Sequence, residues 1–155
     1  MTKNIQKNEI QQHLFYAGYA EMYSDGASSG NPGPSGIGVV ISLTGEDARH
    51  KSHRISEYIG IATNNVAEYT ALLKGLETAK SLGIQNIKIF MDSELLVRQI
   101  KGIYRVKNTK LIPLWIKTMN ILKEFSDYSV SHVPRELNKE ADSLARRAAA
   151  QKQGK

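Results

Sequence analysis

The sequence predicts an α/β fold in which a five-stranded mixed sheet, three antiparallel strands followed by parallel ones, is flanked by helices. Three observations carry this expectation. Short β-branched runs separated by turn residues fill the first part of the chain, and the apolar spacing then turns helical near residue 64. Connections between the first three strand-like runs are short, which allows hairpins only. Beyond them, helical and strand-like segments alternate, a pattern that lays helices over parallel neighbours.

The first strand is expected at 19–24. From Asp25 to Pro34 the chain holds three Gly and two Pro, a density that predicts a tight loop. The second strand, 36–43, carries Ile37, Val39, Val40 and Ile41. Gly45, Glu46 and Asp47 mark a turn before a third strand at 49–61. Leu72, Leu73, Leu76, Ala79 and Leu82 then fall on helical spacing over 64–82, with Gly83 as the stop. A short apolar strand follows at 86–91, a helix at 93–101, a basic connection at 102–108 and a helix at 111–125 whose first turn accepts Pro113. A last strand at 128–133 and an Ala- and Arg-rich helix at 138–150 close the order βββ-α-β-α-α-β-α. The first strand and the 86–91 strand are expected to be parallel neighbours joined through the long helix. In such sheets, sites gather at the carboxyl ends of parallel strands. Residues 1–18 are expected to form an N-terminal extension, 19–150 one domain and 151–155 a tail.

The 155 residues suit a single domain. Hydrophobic residues at 41% and charged residues at 23% are ordinary globular values. Cysteine is absent, which excludes disulfides and thiolate metal sites and fits a cytoplasmic location. No run approaches the roughly 18–20 apolar residues of a membrane span, so no membrane partner is expected. A net charge of +6 and a pI near 9.5 favour a polyanion, nucleic acid first.

Four carboxylates stand out. Asp25 lies at the end of the first strand and Asp92 directly after the 86–91 strand, so parallel pairing brings them together. Glu68 shares the apolar edge of its helix with Leu72 and Ala79, and Asp142 is bordered by Ala141, Leu144, Ala145 and Ala148. An acid on a buried helix edge needs compensation. Clustered carboxylates repel one another, and a hard divalent cation with oxygen ligands removes that repulsion. Two such ions can activate water and stabilise a leaving oxygen in phosphodiester cleavage. Each acid also has a structural alternative: an Asx-turn at Asp25, a helix-dipole role for Glu68, an N-cap at Asp92-Ser93, and an i,i+4 pair of Asp142 with Arg146.

The same residues sit in four ordered motifs. The run from Ser24 to Gly36 resembles the opening strand and loop of type 1 ribonuclease H. Thr63-Asn64-Asn65-Val66-Ala67-Glu68 resembles that family's helix start, and Met91-Asp92-Ser93-Glu94-Leu95-Leu96-Val97-Arg98-Gln99 its second acidic segment. The run from Val133 to Ala145, with Asn138, Ala141, Asp142 and Leu144, resembles its final element. The resemblance covers about residues 20–150. It implies a ribonuclease H-like fold and hydrolysis of the RNA strand of RNA–DNA hybrids to 5′-phosphate and 3′-hydroxyl ends. It implies two Mg²⁺ ions, which Mn²⁺ can replace, held by Asp25, Glu68, Asp92 and Asp142. Asn31, Asn64 and Asn65 match contacts to the substrate backbone or RNA strand, Thr63 a contact to a DNA phosphate, and Gly26 a point of close backbone approach. Amides suit this task because the RNA minor groove presents 2′-hydroxyls that both donate and accept.

Three departures qualify the resemblance. The family's His loop is shortened to Pro134-Arg135-Glu136-Leu137 and holds no His; His132 belongs to the preceding strand. Arg135 is the candidate substitute, a guanidinium able to hold the scissile phosphate, with surface pairing to Glu136 or Glu140 as its structural alternative. Glu94 replaces the usual Gln, and an ionised carboxylate cannot donate to a 2′-hydroxyl. The long basic protrusion is missing, although Lys101, Arg105, Lys107 and Lys110 remain to grip a DNA strand. Trp115 is expected in the core. Two other readings stay open: a ribonuclease that also cuts double-stranded RNA, and a non-catalytic nucleic-acid-binding module. The chain is expected to act as a monomer.

Overall fold

A computed structural model describes residues 19–44 and 51–151. The expected extension at 1–18, the turn at 45–47, the start of the third strand at Arg49 and the tail from 152 onward lie outside the described residues. Within them the expected order holds. Strands β1 (Ala20–Ser28), β2 (Gly33–Leu43) and β3 (Ser52–Ala62) precede helix α1 (Asn64–Ser81). Then come β4 (Asn86–Met91), α2 (Glu94–Ile100), α3 (Ile112–Leu122), β5 (Asp127–His132), a 3₁₀ turn (Arg135–Leu137) and α4 (Lys139–Gln151). The sheet order is β3-β2-β1-β4-β5. β1–β2 and β2–β3 pair antiparallel, while β1–β4 and β4–β5 pair parallel, as a crossover through α1 requires.

One expectation is corrected. The Gly- and Pro-rich run from Asp25 to Pro34 is mostly strand, not loop. β1 and β2 stay paired from Asp25↔Gly38 to Ser28↔Ser35, leaving only 29–32 as the turn. The Ser28 and Ser35 hydroxyls both donate to the Ala62 carbonyl, at 2.9 and 3.0 Å, and tie the hairpin tip to the end of β3. Several of the glycines serve close packing rather than turning. Asp25 nonetheless stands at the carboxyl end of the parallel pairing, because β1 and β4 separate after Tyr23↔Phe90.

Alternation along the strands divides the packing between two faces. On one face Met22 and Val39 meet Gly75 of α1, beside fully buried Tyr69, Leu72 and Leu76. Each buried leucine contributes about 1.5–3 kcal/mol. On the other face Gly36 and Gly38 of β2 meet α4, whose Ala141, Ala145 and Ala148 are fully buried. A Cβ at position 38 would lie 2.1 Å from the Ala141 carbonyl oxygen, so α4 rests backbone to backbone on the sheet. Trp115 packs against the core and donates from Nε1 to the Gln99 carbonyl at 3.3 Å. Among the described residues no helix is long and apolar enough to cross a membrane.

Candidate active site

Four elements converge at the carboxyl end of the β1–β4 pair. Asp25 projects from β1 and is buried, and Asp92 follows β4 directly. Glu68 sits in the second turn of α1, which is capped by Thr63, whose Oγ1 accepts from the Val66 N–H at 3.2 Å. Gly26 lets this helix come close. A Cβ there would lie 2.3 Å from the Ala67 carbonyl carbon and 2.4 Å from the Glu68 nitrogen. The backbone pressing on Gly26 is thus the chain's own helix, although Gly26 also lines the cleft. One carboxylate oxygen from each of Asp25, Glu68 and Asp92 lies within 4.8 Å of the others. Asp142, in the first turn of α4, faces the same cleft of about 540 Å³.

The electrostatics follow from this crowding. Burial, then the Asp92 charge, the Asp142 hydrogen bond and the Glu68 charge push the Asp25 carboxyl from 3.8 up to about 8. Burial and the Asp92 charge raise Glu68 from 4.5 to about 7, partly offset by a Ser93 hydrogen bond and the Arg135 charge. Among the described residues no Lys or Arg pairs directly with Asp25, Glu68 or Asp92, while Asp142 pairs with Arg146 at 3.1 Å. The expected i,i+4 pair and the expected cleft position therefore hold together for Asp142. An all-oxygen donor set in which Asp25, Glu68 and Asp92 have no ion pair among the described residues fits a hard divalent cation.

The other expected residues divide. Arg135 lines the cleft, and among the described residues it makes no ion pair; Glu140 pairs with Arg54 instead. Asn31 Oδ1 accepts from the Asn64 N–H and Asn64 Oδ1 from the Ser28 N–H, both at 3.0 Å. Their oxygens are engaged, which leaves the amide nitrogens as donors for a ligand. Asn64 lines the cleft, whereas Asn31, Asn65, Thr63 and Glu94 are not in its wall. Glu94 is held by Arg98 at 2.6 Å, and Arg98 lies 5.2 Å from the centre of the Tyr104 ring. Gln99, the last residue of the second acidic motif, is buried and accepts from the Tyr69 hydroxyl at 2.6 Å, next in sequence to Glu68.

Sequence reasoning missed Ala27, Ser28, Ser29, Arg146, Ala149 and Ala150 as cleft-wall residues. The helical offsets of Arg146, Ala149 and Ala150 from Asp142 place them on one stripe of α4, a signal that was present. It also missed the buried Asn138, which donates to Asp92 Oδ2 at 3.3 Å.

The reverse transcriptase-like family matches residues 23–148. A ribonuclease HI of Halobacterium salinarum is 39% identical over 132 residues, covering 84% of this chain and 64% of that protein. A ribonuclease H of Chlorobium phaeobacteroides is 32% identical over 142 residues, covering 82% of this chain and 92% of that protein. The chain spans only 33% of a similar bifunctional protein of Mycobacterium tuberculosis, to which it is 39% identical over 122 residues. Among solved structures, the H. salinarum RNase H1 superposes with a TM-score of 0.77 at 38% identity, covering 86% of this chain and 99% of that one. LC11-RNase H1 in complex with an RNA/DNA hybrid gives 0.77 at 40% identity, with the same two coverages. The chain belongs to the reverse transcriptase-like family, and within it to the type 1 ribonucleases H.

Proposed function

We propose that the chain is an endoribonuclease that hydrolyses the RNA strand of RNA–DNA hybrids and leaves 5′-phosphate and 3′-hydroxyl ends. The observation that carries this is the meeting of Asp25, Glu68, Asp92 and Asp142, from four separate elements, in one open cleft. The four carboxylates would hold two Mg²⁺ ions, or Mn²⁺ in their place. When bound, such ions lower the pKa of water and offset charge on the leaving oxygen.

The chain's own groups do the rest. Arg135 orients the scissile phosphate from the cleft wall. Asn64 and Asn31 offer amide donors to 2′-hydroxyls and backbone, assisted by Asn65, while Gly26, in the cleft wall, lets α1 bring Glu68 to the site. Thr63 holds a DNA phosphate in addition to capping α1. Glu94, tied to Arg98, tunes the minor-groove contacts beside α2. Lys101, Arg105, Lys107 and Lys110 supply a salt-sensitive grip on the DNA strand. The hybrid complex of the similar LC11 enzyme supports this substrate. A pure binding module has no evident need for four acids facing a phosphate.

The test is a panel of labelled hybrid, double-stranded RNA and double-stranded DNA, each with Mg²⁺ or EDTA. Cleavage of the hybrid in Mg²⁺ alone is expected, and Asp25→Asn should abolish it with the fold intact. Cleavage of double-stranded RNA would support the wider specificity, and binding without cutting would refute the enzyme.

A further inference from the structure

Asn138 lies between the 3₁₀ turn and α4 and is 1% exposed. Its Nδ2 donates to the Ser24 carbonyl at 3.0 Å and to Asp92 Oδ2 at 3.3 Å. Its own carbonyl accepts from the Asp142 N–H at 3.1 Å. Ser24 directly precedes Asp25. One residue thus touches the backbone beside Asp25, the carboxylate of Asp92 and the backbone of Asp142.

The remaining polar atom makes the arrangement informative. Asn138 Oδ1 is buried without a hydrogen-bond partner, which costs stability. Asn just before a helix commonly turns its side-chain oxygen onto the free N–H groups of the first turn. Here the backbone, at φ −118° and ψ 24°, carries the side chain across to β1 and Asp92, and the oxygen caps nothing. A residue selected only to hold α4 together would not leave that acceptor orphaned. His132 adds a second hold on the same acid, its Nε2 lying 3.2 Å from the Asp92 carbonyl; since a carbonyl only accepts, the ring donates.

We infer that Asn138 is a positioning residue whose buried carboxamide locks Asp92 against the Ser24–Asp25 strand and the first turn of α4, so that the acids are set at chelating distance before any cation arrives. The inference rests on reading the four acids as a cation site. Removing the two N–H donors frees the Asp92 carboxylate to rotate and loosens the link between β1 and α4. Substrate contacts are left in place.

The experiment measures Mn²⁺ binding by calorimetry on the substrate-free protein, with melting in EDTA as the fold control. Asn138→Ala removes the donors together with the orphaned acceptor, and should weaken Mn²⁺ binding by about 10- to 100-fold while the cooperative melt persists. Asn138→Asp sets an acceptor against Asp92 and should weaken it further. A folded Asn138→Ala protein that binds Mn²⁺ within about twofold of the parent, below the loss expected for a ligand-orienting group, overturns the inference. Should neither variant fold, the parent decides. The Asn138 side-chain NH₂ resonances should be slow to exchange and should shift on Mg²⁺ saturation, and resonances that do not move overturn the proposal. Asp92→Asn separates the two claims. If it binds Mn²⁺ like the parent, the cation-site reading itself fails; if it loses binding while Asn138→Ala does not, only the positioning role fails.

Discussion

α1 and α4 cover opposite faces of one sheet and carry acids to one cleft, yet they are held in different ways. α1 lies on large interlocking side chains, Tyr69, Leu72 and Leu76 against Met22, Val39 and Ile41. α4 lies on glycine and alanine, with the Ala141 and Ala145 carbonyls almost touching the backbone of β2. Side-chain packing can redistribute a small loss of volume, whereas backbone-to-backbone contact has nothing that can give way. The α1 face therefore supplies most of the hydrophobic stabilisation, and the α4 face sets position. Gly26 is where the first face borrows the second strategy, since α1 must reach the strand there to deliver Glu68.

Gly38→Ala tests this contrast most severely. Its Cβ meets the Ala141 oxygen, so α4 must shift and carry Asp142 with it. A displacement near 1 Å should lower kcat about 100-fold, at a stability cost of about 1–3 kcal/mol. Hybrid cleavage and thermal melting, measured together, check both figures. Leu76→Ala on the other face should show the reverse, a loss of about 2–5 kcal/mol in stability with kcat changed less than threefold below the melting transition. Equal effects on kcat from the two variants would remove the distinction.

Arg135 reaches the cleft from the loop that leads into α4, so Arg135→Ala should cut turnover about tenfold or more, near 1.4 kcal/mol, with melting unchanged. Unaltered turnover would assign it to the surface. A further test concerns pH. Asp25 rises to about 8 and Glu68 to about 7 in the fold, above their ordinary values of 3.8 and 4.5. The folded chain then holds protons that the unfolded chain releases, so these groups lower stability as pH climbs from about 4 to about 8. A divalent cation favours the ionised forms, so the melting shift it produces should grow over the same window. Melting at pH 5 and pH 9, in EDTA and in Mg²⁺, reads this, and Asp25→Asn should flatten the trend.

Much of the fold was legible because its signals are local. The change from β-branched runs to helical spacing located every described strand and α-helix, and Pro113 and Gly83 punctuate helices as their chemistry requires. The stretch after Asp25 misled because glycine has two uses. Turn chemistry and close packing draw on the same missing Cβ, and only the partner across the sheet shows which applies. Asp92 and Asp25 could be placed together from topology alone, since strand ends in a parallel pair are neighbours. Asn138 could not, because its importance lies in what it touches across the fold.

By itself, then, the chain determined its elements, their order and the identity of the acids, since periodicity, turn chemistry and motif spacing are written along one dimension. Only the tertiary structure decided that Gly36 and Gly38 seat a helix, that Gly26 admits α1, and that an asparagine ahead of α4 reaches back to Asp92. Those facts are distances between residues far apart in sequence, and such distances exist only once the sheet has closed against both helices.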